Sequence, residues 1–364
     1  MTGRRQKKSV NLALQGGGAH GAFTWGALDR LLEEEALEID GITATSAGAM
    51  NAAALKHGWL QGGADGAKAS LKRFWFQIAG LDGQMSEAML AWLRAISPSP
   101  AFIARAIENS PAMLATEAIT RVFSPYQLNP FNYHPMRQIC EELLDYDLVC
   151  AATGPKLFVC ATNVRTGKPR IFKGKDITPD ALLASACLPT LFQAIRIEDP
   201  RTGRLEAYWD GGYMGNPALY PLFYHTQSSD ILIVHINPIE RDELPQTAQE
   251  ILNRLNEISF NSSLLRELRT IELVNRLLEQ GVIREGTMKR NNIHSIRDDK
   301  LMVQLGVATK MTPNRALLLQ LHDAGHAAMD DFLREHWREI GRCSSVDLQR
   351  MFAADSLPFA SPPG

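Results

Sequence analysis

Three short stretches of this sequence hold residues whose types and spacing suit chemistry. The first is Gly16-Gly17-Gly18-Ala19-His20-Gly21, between an apolar run and a helical pattern. Glycines let a chain turn tightly and bare its N–H groups at the positive end of a helix. Such a loop can hold a phosphate or the oxyanion of a tetrahedral intermediate. Gly16, Gly18 and Gly21 also satisfy G-x-G-x-x-G, with Asp40 about twenty residues on, where a dinucleotide site has its ribose ligand. The second stretch is Ala44-Thr45-Ser46-Ala47-Gly48, at the end of a strand pattern and the start of a helix of small residues. A nucleophile elbow puts a serine on such a turn with small neighbours two residues away. Ser46 could equally be a helix N-cap. The third is Asp210-Gly211-Gly212, after Ala207-Tyr208-Trp209. A strand-end aspartate followed by two glycines suits a catalytic base, and it also suits an ordinary turn.

The elements that must position these residues follow from periodicity. Val10–Leu14 reads as a buried strand, Ala22 to about Glu35 as a helix, and Ile39–Thr45 as a second strand. A helix then runs from Ser46 to about Lys56, closed by Gly58. That alternation is the grammar of a parallel sheet with covering helices. Strands are expected at Lys156–Asn163, Pro169–Phe172, Leu191–Ile197 and Leu205–Trp209, and a short helix at Asp180–Ala186. Asp230–Ile236 is continuously apolar, as in a fully buried parallel strand. Gln246 to about Gln280 and Thr312–Gly341 are helical. Earlier in the chain, residues 65–140 are rich in Trp, Phe and Met (Met85, Met89 and Trp92 among them), and prolines chop this segment into short helices.

In that order and at those separations, the three stretches resemble the patatin-like phospholipase family. Its pattern is a G-G-G-x-[R/K]-G oxyanion loop, a G-x-S-x-G serine and a D-G-[G/A] aspartate. Ser185-Ala186-Cys187-Leu188-Pro189 looks like the family's S-A-x-x-P segment, and Asn216-Pro217 fits as well. The resemblance runs from Val10 to Tyr224. It implies an α/β fold, a three-layer sandwich with a mostly parallel central sheet, a helical cap segment and a helical C-terminal part. It implies Ser46 as nucleophile and Asp210 as its base with no histidine between them. Gly16, Gly17, Gly18 and Ala19 would surround the oxyanion. The substrate would be a lipid or other acyl ester, met at a membrane surface, with no metal and no cofactor. Two positions depart from the pattern. Ala44 replaces the first elbow glycine. His20 stands where Arg or Lys is usual, and a histidine is only partly charged near neutral pH.

The corresponding domain plan is a basic tail over 1–9 and a catalytic domain over 10–224, with 65–140 as a cap or lid. A last core strand and helical region would follow over 225–345, and a loose tail over 346–364. Phospholipid, lysophospholipid, neutral glyceride, thioester and polyester all present an ester-type carbonyl, and a fold does not choose among them. Rival readings are a Ser–His–Asp triad using His225 or His235, a dinucleotide site, and an inactive lipid-binding scaffold with a decayed site. The triad is disfavoured because an α/β-hydrolase places its elbow after several strands.

Composition is that of a folded globular protein. The chain has 364 residues, 45% hydrophobic and 21% charged, with a net charge of −2. Such a length buries a full core. The charge argues against a nucleic-acid partner, which needs a basic surplus. Five cysteines (Cys140, Cys150, Cys160, Cys187, Cys343) show no CxxC pair and no metal spacing, so buried inert thiols in a reducing compartment are expected. No run approaches the ~20 apolar residues of a membrane span. The apolar stretch after the basic start is too short for a signal peptide, so a cytoplasmic location is expected. The alternating charges Glu250, Arg254, Glu257, Arg266, Glu267 and Arg269 read as a solvated helix face.

Overall fold

The structure is a computed structural model that describes residues 7–81, 87–284 and 286–352. The basic residues 1–6, Met85 and the final stretch 353–364 lie outside the described residues. One mixed sheet of eight strands forms the middle layer. The strands are β1 (Lys8–Leu14), β2 (Leu37–Thr45), β3 (Lys156–Asn163), β4 (Pro169–Lys173), β5 (Ile195–Asp199), β6 (Arg204–Asp210), β7 (Asp230–Val234) and β8 (Asn292–Ile296). Hydrogen bonding runs in the order β5-β6-β3-β2-β1-β7-β8, with β4 also on β3. Pairs among β3, β2, β1, β7 and β8 are parallel, and β4, β5 and β6 pair antiparallel. β7 is buried along its whole length, as its unbroken apolar run requires.

The register of β3 decides where the site forms. Cys160 pairs with both Thr45 and Ile171, and Ala161 with both Arg170 and Asp210. A strand has only two edges. β4 therefore fills one edge of β3, and on the other the end of β2 meets the end of β6. Thr45 and Asp210 thus become neighbours across a gap in sequence that no local signal bridges.

Helices cover both faces. Helix α1 (Gly21–Leu31) and helix α2 (Ala47–Ala79) follow β1 and β2. The Arg315–His336 helix packs along α1 through two glycines. A Cβ on Gly26 would stand 1.8 Å from the His322 carbonyl oxygen, and one on Gly325 would stand 1.9 Å from that of Phe23. The two backbones therefore touch.

Several expectations need correction. Gly58 does not end the helix after Ser46. The break falls at Gly62 and Gly63, where Gly63 takes φ +61°, and helical residues continue to Ala79. The strand expected at Leu191–Ile197 forms at Ile195–Asp199, and β8 went unforeseen. Between residues 87 and 143 the prolines do start helices. Ser99 and Ser110 accept the N–H of Phe102 and Met113 as N-caps, each ahead of a proline that lacks the N–H a helix start would leave idle. The charged helix Ala248–Glu279 is not a purely solvated face. Glu257 is buried and Glu267 half-buried, its carboxyl pushed up to about 7 by that burial. Cys140, Cys160 and Cys187 are buried, but Cys343 is exposed and Cys150 half-buried.

The glycine crossing generates a stability prediction. Gly325→Ala forces backbone apart and should lower the unfolding free energy by about 2 kcal/mol, the usual cost of overpacking. Urea denaturation measures this, and an unchanged midpoint would refute the contact.

Candidate active site

Ser46 takes φ 54° and ψ −123°, in a region that non-glycine residues rarely adopt. Holding it there costs of order 1–3 kcal/mol, so neighbouring contacts must fix it. They come from two directions. The Ser46 N–H donates to Ser185 Oγ at 2.8 Å, and the Ser185 hydroxyl donates to the Cys160 carbonyl at 2.6 Å. The hydroxyls of Thr43 and Thr45 donate to the carbonyls of Ala218 and Gly215, each at 2.6 Å, stitching β2 to the loop after Asp210. The Ser46 side chain makes no capping bond to α2, so the N-cap explanation of this serine fails. Ala44 is fully buried in the core, and the turn closes with its methyl in place.

Asp210 ends β6 and is 1% exposed. Its N–H donates to the Cys187 carbonyl at 2.8 Å, and its Oδ1 accepts the Gly212 N–H at 2.7 Å. The Ser46 side chain lies beside the carboxylate and favours its ionised form. Burial pushes its pKa up to about 7, against the opposing pull of the Gly212 N–H, the Ser46 side chain and the Lys310 ammonium. A carboxylate so tuned is a competent base near neutral pH.

The glycine loop crosses beside the serine. A Cβ on Gly16 would lie 2.6 Å from the Ser46 Cβ, so only glycine passes there. The four loop positions expected around an oxyanion divide. The Gly16 N–H already donates to Asn216 Oδ1 at 2.6 Å, and its carbonyl accepts Asn237 Nδ2 at 2.8 Å, so Gly16 anchors the loop and is not a spare donor. Gly17, Gly18 and Ala19 line the cavity that Ser46 and Asp210 share. That cavity holds about 370 Å³ and is mostly apolar, with Met50, Phe74, Trp75, Ile139, Leu191 and Phe192 in its walls.

The residues of the rival readings lie elsewhere. Asp40 accepts the N–H groups of Gln227 and Ser228 and pairs with Lys156, so it is committed away from the loop. His225 stacks on Phe158 and contacts Lys173. His235 is buried, and burial pushes its pKa down to about 3. Neither lines the cavity. His134 does, with its ring stacked on Phe192 and its Nδ1 accepting the Met136 N–H. His20 turns out of the cavity. Its Nε2 is 2.8 Å from the Thr309 hydroxyl, whose own proton goes to the Gly306 carbonyl. Burial, with Lys310 adding to it, holds the imidazole neutral. Among the described residues no His, Cys, Asp and Glu cluster could hold a metal ion.

Four site residues escaped the sequence reading. Gln15 Oε1 accepts the N–H groups of Ile236 and Asn237, and its Nε2 donates to Asn261 and to the Asn216 carbonyl. Asn237 grips Gly16 and accepts Lys310 Nζ at 2.6 Å. Phe260 closes one wall, against Gly212. Only Gln15 carried a signal, as an amide between an apolar strand and a glycine loop.

The family model described as patatin-like phospholipase matches residues 12–223. No curated protein shows a significant match. Among solved structures, the chain is similar to VipD from Legionella pneumophila at 13% identity and a TM-score of 0.41, covering 91% of this chain and 67% of that one. A likeness of that degree says nothing about activity. The family match spans more than half of the chain and takes in the glycine loop, Ser46 and Asp210, so the chain belongs to the patatin-like phospholipase family.

Proposed function

We propose that this protein is a serine acyl hydrolase of lipid esters, of phospholipase A or lysophospholipase type, with Ser46 as nucleophile and Asp210 as base. One observation carries the reading. A serine on a strained turn lies beside a buried, desolvated carboxylate at an apolar cavity. A cavity of a few hundred Å³ with few polar groups suits an acyl chain.

The steps follow from the geometry. Ionised Asp210 takes the Ser46 proton as Oγ bonds to the ester carbonyl carbon. The carbonyl oxygen becomes an oxyanion, held by the N–H groups of Gly17, Gly18 and Ala19. Collapse expels the alcohol oxygen, which takes the proton from Asp210 and leaves an acyl-serine. Water then gives a proton to Asp210 and adds to the acyl carbon. The second collapse releases the fatty acid and returns the proton to Ser46. Desolvation is what makes an aspartate basic enough for this without a histidine.

The substrate would be drawn from a lipid surface. Phe131 is 94% exposed and Tyr133 71%, next to His134 of the cavity wall. Leu255 and Ile258 are more than half exposed and flank Asn256 of the same wall. None of the described helices is long and apolar enough to cross a membrane.

Three outcomes are expected. With a fluorophosphonate probe, wild type labels, Ser46→Ala does not, and Asp210→Asn labels about a thousandfold more slowly, the middle of the usual range for loss of a general base. His134→Phe keeps most of the labelling rate, because Asp210 and not His134 serves as the base; near-complete loss in a folded variant would return a histidine to the mechanism. Phe131→Asp with Leu255→Asp should cut hydrolysis of vesicle phospholipid at least tenfold and leave a monomeric short-chain ester untouched, and equal losses on both would count against the lipid-surface contact.

A further inference from the structure

His20 leaves the glycine loop without a charge of its own, since its imidazole is buried, neutral and turned to Thr309. The short helix Val307–Met311 lies against that loop. Thr309 holds His20, and the Lys310 carbonyl packs so close to Gly18 that a Cβ there would stand 2.2 Å away. The Lys310 side chain turns into the same place. Its Nζ donates to Asn237 Oδ1 at 2.6 Å, and Asn237 Nδ2 donates to the Gly16 carbonyl at 2.8 Å. Lys310 also lines the cavity with Ser46, Asp210, Gly17 and Gly18.

We propose that Lys310 is the positioning cation of this site, delivered to the oxyanion loop from beyond the family-matched residues to take the electrostatic place that His20 leaves empty. The proposal rests on the Ser46–Asp210 reading. The ammonium would favour negative charge at two points, the Asp210 carboxylate and the developing oxyanion, in a cavity where little water screens it.

The surrounding charges do not cancel it. Glu257 of the Ala248–Glu279 helix is the acid on that side, and it already pairs with Arg241 at 2.6 Å and Arg254 at 3.2 Å. From the helix Pro100–Glu108, the Glu108 carboxylate lies against Gly306. Asp210 faces Lys310 from β6, and neutral His20 from the loop. Burial pulls the Lys310 ammonium down to about 8, with Arg241 adding to the fall and Glu257 and Asp210 opposing it. The cation is therefore lost as pH rises through about 8, and the base is gained as pH rises through about 7.

The test is the rate of fluorophosphonate labelling of Ser46 across pH, for wild type, Lys310→Met and Lys310→Arg, with folding checked by circular dichroism. Wild type should give a bell with limbs near about 7 and about 8. Lys310→Met should label about tenfold more slowly, lose the alkaline limb and show its acid limb at higher pH. Lys310→Arg should keep the rate and move the alkaline limb out of range, because a guanidinium does not deprotonate there. A loss of packing alone would lower the rate and leave both limbs in place. Folded Lys310→Met with both limbs unmoved overturns the proposal. If that variant does not fold, an alkaline limb still near its wild-type position in Lys310→Arg overturns it equally. Wild type that never labels marks a different failure, that of the Ser46 nucleophile, and the proposal falls with it.

Discussion

Burial of the Asp210 carboxylate is the constraint on which the other features of this molecule depend. An aspartate in water has a pKa near about 4 and is a weak base. Sealed at a strand end, it is raised to about 7, and it must be partnered or it would not be tolerated there. Gly212, Ser46 and the nearby Lys310 are those partners. The double pairing of β3 is what makes the arrangement possible, since it butts the end of β6 against the end of β2. Ser185 then locks the turn by bridging Ser46 to the same strand, β3. The buried acid, the strained serine and the sheet register are therefore one solution to one electrostatic problem.

Much of the fold was legible because it rests on local signals. The apolar runs of β1, β2, β3 and β7 and the glycine and proline punctuation between elements are readable from the chain alone. What escaped reading lacks such signals. β8 mixes Asn292, His294 and Ser295 with two isoleucines, and buried His294 finds its partners in Asp230 of β7, 2.9 Å from its Nε2, and in the Ser345 hydroxyl. The helix break sits at Gly62-Gly63 and not at Gly58, because Gly58 remains helical while packed against the Gly66 backbone.

The site divides in the same way. Ser46, Asp210, Gly17, Gly18 and Ala19 come together in one cavity, each from a stretch whose residue types announce chemistry. Gly16 belongs to the same motif but serves as an anchor, a distinction that depends on Asn216 being two hundred positions away in sequence and 2.6 Å away in space. Asn237 and Lys310 have no motif. Their roles arise only when the C-terminal helices close over the loop.

That closure has a consequence for the order in which the molecule is made. The glycine loop and α1 emerge early from a ribosome, while the segment that packs on Gly18 and the helix that presses on Gly26 emerge late. Until they arrive, the α1 groove at Gly26 is bare and the loop lacks one wall. A growing chain carries its serine long before it carries a finished pocket around it. A chain built this way gains its pocket only after the Val307–Met311 segment and the Arg315–His336 helix have docked.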